Sequence, residues 1–210
     1  MTKNGEAEPT PVEAEYRRRV TNASPIPLGA DPEHHVSADA FKAVFRGHPG
    51  GVALITADAG DGPVALTATS VASVNVDPPL LMFSVTTVSS ATAVIVKSDT
   101  VVVHLLDVDD IPLAQRGATK GIDRFGDTDL WQRLPTGETV FTGARAWVRC
   151  RVINQMDASG STVIAAEALQ VAINRQVGED STPLAYVNRE WHRLDDASRI
   201  DAGMTLPPSE

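Results

Sequence analysis

A single cysteine, Cys150, stands in the 210-residue chain. No internal disulfide can close, which suits a reducing compartment. No stretch approaches the ~18 consecutive apolar residues of a membrane-spanning helix. The opening segment MTKNGEAEPTPVEAEYRRRV lacks the apolar region that a secretory signal needs. A cytoplasmic protein without membrane contact is therefore expected. Positive charge is scarce too: 18 Lys and Arg against 27 Asp and Glu leave a net charge of −9. A phosphate backbone would be repelled on average, and only Arg17–Arg19 form a basic run, which reads as a solvated patch. Nucleic acid is not an expected partner.

Several catalytic signatures are also missing. No G-x-S-x-G elbow exposes a serine nucleophile. GDG at 60–62 is a turn, since neither the glycine spacing nor a following helix fits a dinucleotide fingerprint. The neighbours His34 and His35 have no third ligand at a sensible spacing, so no metal site is assigned. Asp107, Asp109 and Asp110 fall where a helix begins, a place where carboxylates serve the helix dipole. Cys150 lies in an alternating strand and reads as a small buried hydrophobe. No residue is assigned as catalytic.

What is present is an ordinary globular balance, 42% hydrophobic and 21% charged. The length suits one domain of about 150–170 residues plus tails. Residues 1–36 are rich in Pro, Glu and charge and read as an arm, flexible or docked; 37–195 form the domain and 196–210 a polar tail. Ser37 is a candidate N-cap, and Phe41, Val44 and Phe45 fall at the i, i+3, i+4 spacing of an amphipathic helix. Strand-like runs follow at 51–57, 64–74 and 80–85 with short connections. A helix is expected over 89–99, capped by Ser89 or Ser90, then a strand at 100–106 and a short helix at 108–118. Beyond a polar stretch come strands at 144–153 and 161–173 and a hairpin at 183–187 and 191–194. The chain is mainly β with short inserted helices, in a barrel or a sandwich.

One strand is unusual. In LTATSVASVNVDPP (66–79), Thr67, Thr69, Val71, Ser73 and Asn75 share one face, and Leu66, Ala68, Ser70, Ala72, Val74 and Val76 share the other. The hydroxyl face carries no Lys or Glu from 64 to 76. Two readings stay open at this point: a wet face of a sheet, or a surface that another body approaches closely. A second feature is VTTVSSATAV (85–94), where a Ser/Thr-rich turn opens a helix and could receive an anion; an ordinary hydroxyl cap is the other reading.

The order of FRGHPGGVALITA, ALTATSVASVNVDPPLLMFSV, SSATAV, VVVHLL, DRFG, GARAWVRCRV and PLAYVNREWHRL resembles the flavin reductase-like family, over residues 38–195. The resemblance implies an FMN-binding split β-barrel, a homodimer, and a flavin (FMN or FAD) bound in a cleft near the subunit interface. It implies reduction of that flavin by NADH or NADPH, with reduced flavin passed to a monooxygenase partner. By position, Ala68, Thr69 and Ser70 would meet the isoalloxazine edge, Ser84 and Val85 a strand end beside it, and Ser89 and Ser90 the phosphate, with Phe125 nearby. His104 stands where the family has Asn; it is placed with the flavin-binding positions, a core histidine being the other reading. Two further departures are Gly160–Ser161–Thr162 in place of Gly-Asp-His, and Glu167 in place of a glycine.

The expected activity is hydride transfer from nicotinamide to flavin. The alternatives are a split-barrel cofactor-binding protein without that activity, an oxidoreductase acting on another substrate through bound FMN, and an unrelated β-barrel interaction protein. Thr69 and Ser70 point to opposite faces of a regular strand. Both reach one ligand only if the strand bulges there or one contributes its backbone.

Overall fold

The computed structural model describes residues 10–22 and 36–200. His34, His35 and most of the expected arm and tail lie outside the described residues. The chain divides into two units, Lys42–Ser198 and the residues before and after it. Within the second of these, the expected arm contains helix α1, Pro11–Thr21. Thr10 caps it, and Glu13 and Glu15 pair with Arg17, Arg18 and Arg19 one turn on. These i, i+3 and i, i+4 pairs support a helix that buries no side chain. Helix α2, Ala38–Arg46, opens where expected, with the Ser37 hydroxyl accepting from the Ala40 N–H.

The larger unit is built on strands, all paired antiparallel within its sheets. They are β1 (Gly50–Gly51), β2 (Ala53–Ala57), β3 (Val64–Ala68), β4 (Ala72–Asn75), β5 (Leu80–Thr86) and β6 (Thr100–Leu105). Beyond them come β7 (Trp131–Arg133), β8 (Thr139–Phe141), β9 (Ala146–Asp157), β10 (Ser161–Ile173), β11 (Leu184–Val187) and β12 (Glu190–Arg193). Two helices interrupt them, α3 (Thr92–Ile95) and α4 (Ile111–Ala118). The β7–β8 hairpin falls in the stretch that reads as merely polar; each of its strands has three residues, too few for a period to register. The closing hairpin turns at Asn188 and Arg189, both at positive φ (52° and 67°), as a tight two-residue hairpin requires.

The main sheet has the order β3-β2-β6-β9-β10-β5-β4. Its two edge strands, β3 and β4, are consecutive in sequence and separated only by Thr69–Val71. A flat sheet of this order would hold its edges about 29 Å apart, at about 4.8 Å per strand. The link from Ala68 to Ala72 can reach only about 14 Å. The sheet must therefore curl until its edges face each other. This closes a barrel along a seam between β3 and β5, and the seam is where the expected strand at 64–74 breaks.

The barrel's interior alternates as the pleat dictates. Ala53, Ile55, Leu66, Ala68, Phe83, Val85, Val101, Val103, Cys150, Ile164 and Ala166 point inward, and Ile95 of α3 plugs the structure at 0% exposure. Each large buried side chain contributes about 1.5–3 kcal/mol. The opposite faces of β2 and β3 supply Leu54 and Ala65 to a second cluster beneath α4, with Phe141 and Leu184. Burial pushes the Cys150 thiol up to about 12, so it is not a nucleophile.

Asp107, Asp109 and Asp110 do open a helix, and two of them do more. The Asp107 carboxylate accepts from the backbone of Asp109 and Asp110, and Asp110 answers by accepting from the Asp107 N–H. Arg175 then donates to both carboxylates at 2.7–2.9 Å. Burial, the largest single influence, would raise the Asp107 pKa, but hydrogen bonds from Arg175, Ser181 and Asp110 and the Arg175 charge together hold the carboxyl below its ordinary value. Burial raises that of Asp110, and the neighbouring Asp107 charge adds to the effect.

His104 corrects an expectation. It is fully buried on β6, with Nδ1 donating to the Leu54 carbonyl and Nε2 accepting from the Phe141 N–H, both at 3.0 Å. Both ring nitrogens are spent in the core, and the side chain cannot meet a ligand. Burial lowers its pKa from 6.5 to about 4. The unfolded chain thus takes up the proton first. Stability is full above the unfolded value and falls as pH drops towards about 4, by up to roughly 3 kcal/mol. Urea titrations between about pH 7 and pH 4.5 should show this loss in the native protein and a flatter profile in His104→Gln. Parallel profiles would contradict the assignment.

Candidate functional site

The seam does not close completely. Between β3 and β5 it leaves a cavity of about 770 Å³. One wall runs from Leu66 to Ser70, and the other from Ser84 to Thr86 and on through Val88–Ser90. The end of α4, with Gly117, Ala118, Lys120, Gly121 and Arg124, forms the roof. Gly117 is required there, because a Cβ would collide with Leu54 Cδ1 and Thr67 Oγ1 and lift α4 off the sheet. Gly50 has a similar duty: a Cβ on it would meet the Thr69 carbonyl oxygen at 2.6 Å, just where the strand bends.

Seven of the nine expected site residues border this one cavity: Ala68, Thr69, Ser70, Ser84, Val85, Ser89 and Ser90. The break at Thr69–Val71 is what brings Thr69 and Ser70 to the same cavity, meeting the geometric demand that a regular strand would not. His104 lies in the core. Phe125 lies nearby but not in the lining: it borders a small pocket that shares Ser90 and Arg124 with the cavity, its ring packs 5.4 Å from Phe141 and 5.6 Å from Trp131, and the Trp131 indole N–H donates to its carbonyl. An aromatic ring beside the second cluster gains more by burial there, and its neighbour Arg124 reaches the cavity instead.

The hydroxyls divide into two groups. Thr67 Oγ1 donates to the Ala114 carbonyl at 2.6 Å and pins α4 to β3. Ser70 Oγ accepts from the Ser84 N–H (3.0 Å) and donates to the Ser84 carbonyl (3.2 Å). It replaces a ladder pair across the seam, so its side chain holds the wall together. Thr86 Oγ1 accepts from the Val88 N–H, and Thr92 Oγ1 donates to the Thr86 carbonyl. The hydroxyls of Thr69, Ser84, Ser89 and Ser90 make no hydrogen bond to other described residues. These four remain available to a ligand.

The expected helix over 89–99 shrinks to the single turn of α3, and neither Ser89 nor Ser90 caps it; Ala91 holds the cap position without a side-chain bond. Ser98 Oγ bonds back to the Val94 carbonyl and helps end the helix early. Four residues carry little macrodipole, so anion attraction here must come from side chains. Lys120 and Arg124 supply it, and sequence reasoning missed both. The run ATKGIDRF offers two cations four residues apart around a glycine, a signal easily lost among surface charge. Arg124 is anchored by a 2.6 Å bond from one terminal nitrogen to the Thr119 carbonyl, while its Nε is buried without a protein partner.

The cavity lining contains no His, Cys, Asp or Glu. Its hydroxyls therefore have no imidazole or carboxylate beside them among the lining residues to activate them. The lining pairs an apolar floor (Leu66, Ala68, Val85) with unspent hydroxyls and two cations, within the ~300–1,000 Å³ typical of small-molecule sites. A flat, partly apolar ring with polar edges and a phosphate fits this donor set. Thr162 lies one strand behind the wall, opposite Val85, and the Gly160 carbonyl accepts from both the backbone and the hydroxyl of Thr87.

Residues 45–195 match the family model described as the flavin reductase like domain. An NADH:FMN oxidoreductase of Rhodococcus qingshengii is 34% identical over 158 residues, covering 75% of this chain and 82% of that protein. The FMN reductase (NADH) SmoA of Agrobacterium fabrum is 30% identical over 169 residues, covering 78% and 93%. The crystal structure of a flavin reductase domain protein from Arthrobacter sp. FB24 superposes with a TM-score of 0.70 at 30% identity, covering 79% of this chain and 99% of that one.

Replacing Ser70 by Ala should remove both bonds across the seam. We expect a loss of about 1–2 kcal/mol in urea unfolding, and faster hydrogen exchange at the Ser84 amide than at its β5 neighbours. Unchanged protection at Ser84 would refute the role given to Ser70.

Proposed function

Because the chain belongs to the flavin reductase-like domain family, we propose that it is an NAD(P)H:flavin oxidoreductase whose flavin lies in the β3–β5 seam. The observation that carries this reading is the donor set of that cavity: unspent hydroxyls over an apolar floor, with two cations at one end. Flavin, when bound, supplies the redox chemistry by accepting a hydride equivalent from a reduced nicotinamide. The chain's own residues bind and orient. Thr69 and Ser84 offer hydroxyls to the polar edge of the ring from opposite walls. Ser89, Ser90, Lys120 and Arg124 offer donors to the phosphate. Leu66, Ala68 and Val85 exclude water from the apolar side of the ring. Ser70, Thr67 and Gly117 hold those walls at their spacing.

Thr69, Ser70, Thr86, Val88, Ser90 and Lys120 are exposed along the mouth. An open mouth supports exchange of flavin with solvent, and so delivery of reduced flavin to a separate monooxygenase. We place the protein in the cytoplasm, where its single unpaired cysteine and a nicotinamide donor are at home. It works as a homodimer: Val171 and Ile173 share one face of β10 and are 62% and 58% exposed, an apolar stripe suited to a second subunit.

Mixing the protein with FMN and NADH without oxygen should bleach the flavin band near the rate of NADH oxidation. No bleaching with NADH or with NADPH would overturn the reductase reading. Light scattering should give twice the 22.3 kDa chain mass, and Val171→Glu should shift it towards one chain. A native monomer would remove the dimer.

A further inference from the structure

We propose that Arg175, which lines no part of the cleft, is a positioning residue for it: its clamp on Asp107 and Asp110 sets the cavity's roof through α4, which acts as a lever pivoted at Ala114. This rests on the flavin-binding reading above.

The roof belongs to the C-terminal end of α4, where Gly117 and Ala118 border the cavity. The N-terminal end is held by a residue from the far side of the sequence. Arg175 follows β10 directly. Its Nε and one terminal nitrogen donate to the two Asp107 carboxylate oxygens at 2.9 Å, and that same terminal nitrogen donates to Asp110 Oδ1 at 2.7 Å. The other terminal nitrogen donates to the Gly143 carbonyl at 2.7 Å. All three guanidinium nitrogens are spent, on the turn that opens α4 and on the β8–β9 connection. Asp110 Oδ2 adds a further tie by accepting from the Arg145 N–H at 2.9 Å, just before β9. Forked, charge-assisted bonds of this kind fix geometry as well as energy. Asp110 holds the cap position of α4, so the start of the helix is tied to both β9 and β10.

Between the two ends lies the pivot. Ala114 is fully buried, and its carbonyl accepts from Thr67 Oγ1 at 2.6 Å, which ties the helix to β3 at that point. At ~1.5 Å per residue, Ala114 stands about 6 Å from Asp110 and about 6 Å from Ala118. The arms are equal. A helix this short bends little, so a displacement of Asp110 returns at Ala118 with about the same size and the opposite sense. Packing leaves one direction free. Gly117 already lies so close to Leu54 and Thr67 that a Cβ would collide with both, so the roof cannot sink further onto the sheet. Released from the clamp, the roof end moves outward and the cleft loses its fixed width. A ligand must then order the roof as it binds, which costs affinity.

The test combines FMN titration, read by flavin fluorescence, with amide hydrogen exchange of the ligand-free protein. The native chain is compared with Arg175→Gln, Arg175→Lys and Asp110→Asn. Asp110→Asn is the mildest change: its oxygen still accepts the backbone N–H groups, while its amide turns a donor towards Arg175. Arg175→Gln should raise the FMN dissociation constant about 3–10-fold. It should also speed exchange at the Gly117, Ala118 and Lys120 amides by more than at β6 and β9. Arg175→Lys and Asp110→Asn should shift both readouts the same way, by less. Thr67→Val removes the pivot bond. In Arg175→Gln/Thr67→Val the two losses of affinity should fall short of multiplying, because a lever without its pivot transmits nothing. A clamp with a purely structural role would lower stability and leave FMN affinity and roof exchange unchanged; that result overturns the proposal, as do losses that multiply. Should Arg175→Gln fail to fold, Asp110→Asn alone and with Thr67→Val decides the same question. Failure of the native protein to bind FMN would defeat the flavin reading, and the exchange comparison would still decide the lever.

Discussion

Three residues, Thr69–Val71, join strands on opposite edges of a seven-stranded sheet. The rest of the molecule follows from that short tether. Edges that must meet force the sheet to curl. A curled sheet needs an interior, which Ile55, Phe83, Val103 and Ile164 fill, and an end plug, which Ile95 provides. Because the tether is bent backbone with no ladder of its own, the meeting edges do not zip fully. The incomplete seam is the cavity, so one constraint produces both the barrel and its cleft.

This arrangement assigns neighbouring side chains of one kind to different work. Thr67 and Ser70 spend their hydroxyls on α4 and on β5, while Thr69 between them keeps its own unspent. Hydroxyls spent on the scaffold and an unspent one facing the cavity are interleaved along four residues. Preorganisation of this sort lowers the ordering cost of binding, since the walls are fixed before a ligand arrives.

Much of the architecture was legible in the sequence. Period-2 alternation and short turns point to the strands, and the charge-free hydroxyl run, open in the sequence between a wet sheet face and a surface another body approaches, falls at the seam. The parts that were not legible depend on long-range contacts. Nothing near Ser70 in sequence says that its partner is Ser84. His104 sits in an apolar strand, and only the approach of Leu54 and Phe141 turns it into a core hydrogen-bonding residue. The helix expected from 89 to 99 rests on a serine cap and on the apolar side of Ala93, Val94 and Val96. Its end is set instead by Ser98 bonding backwards and by Ile95 entering the barrel. Arg124 resembled surface charge until the loop folded over the cleft.

Cys150 sits at the centre of the barrel, paired across β9 with Val101 on one side and Ala168 on the other. It is 0% exposed. With one thiol in the chain, and that thiol sealed by strands on both flanks, alkylating reagents can reach it only when the sheet parts. The protein thus carries an intrinsic timer of barrel opening. The rate at which Cys150 is labelled counts how often the closed sheet lets go.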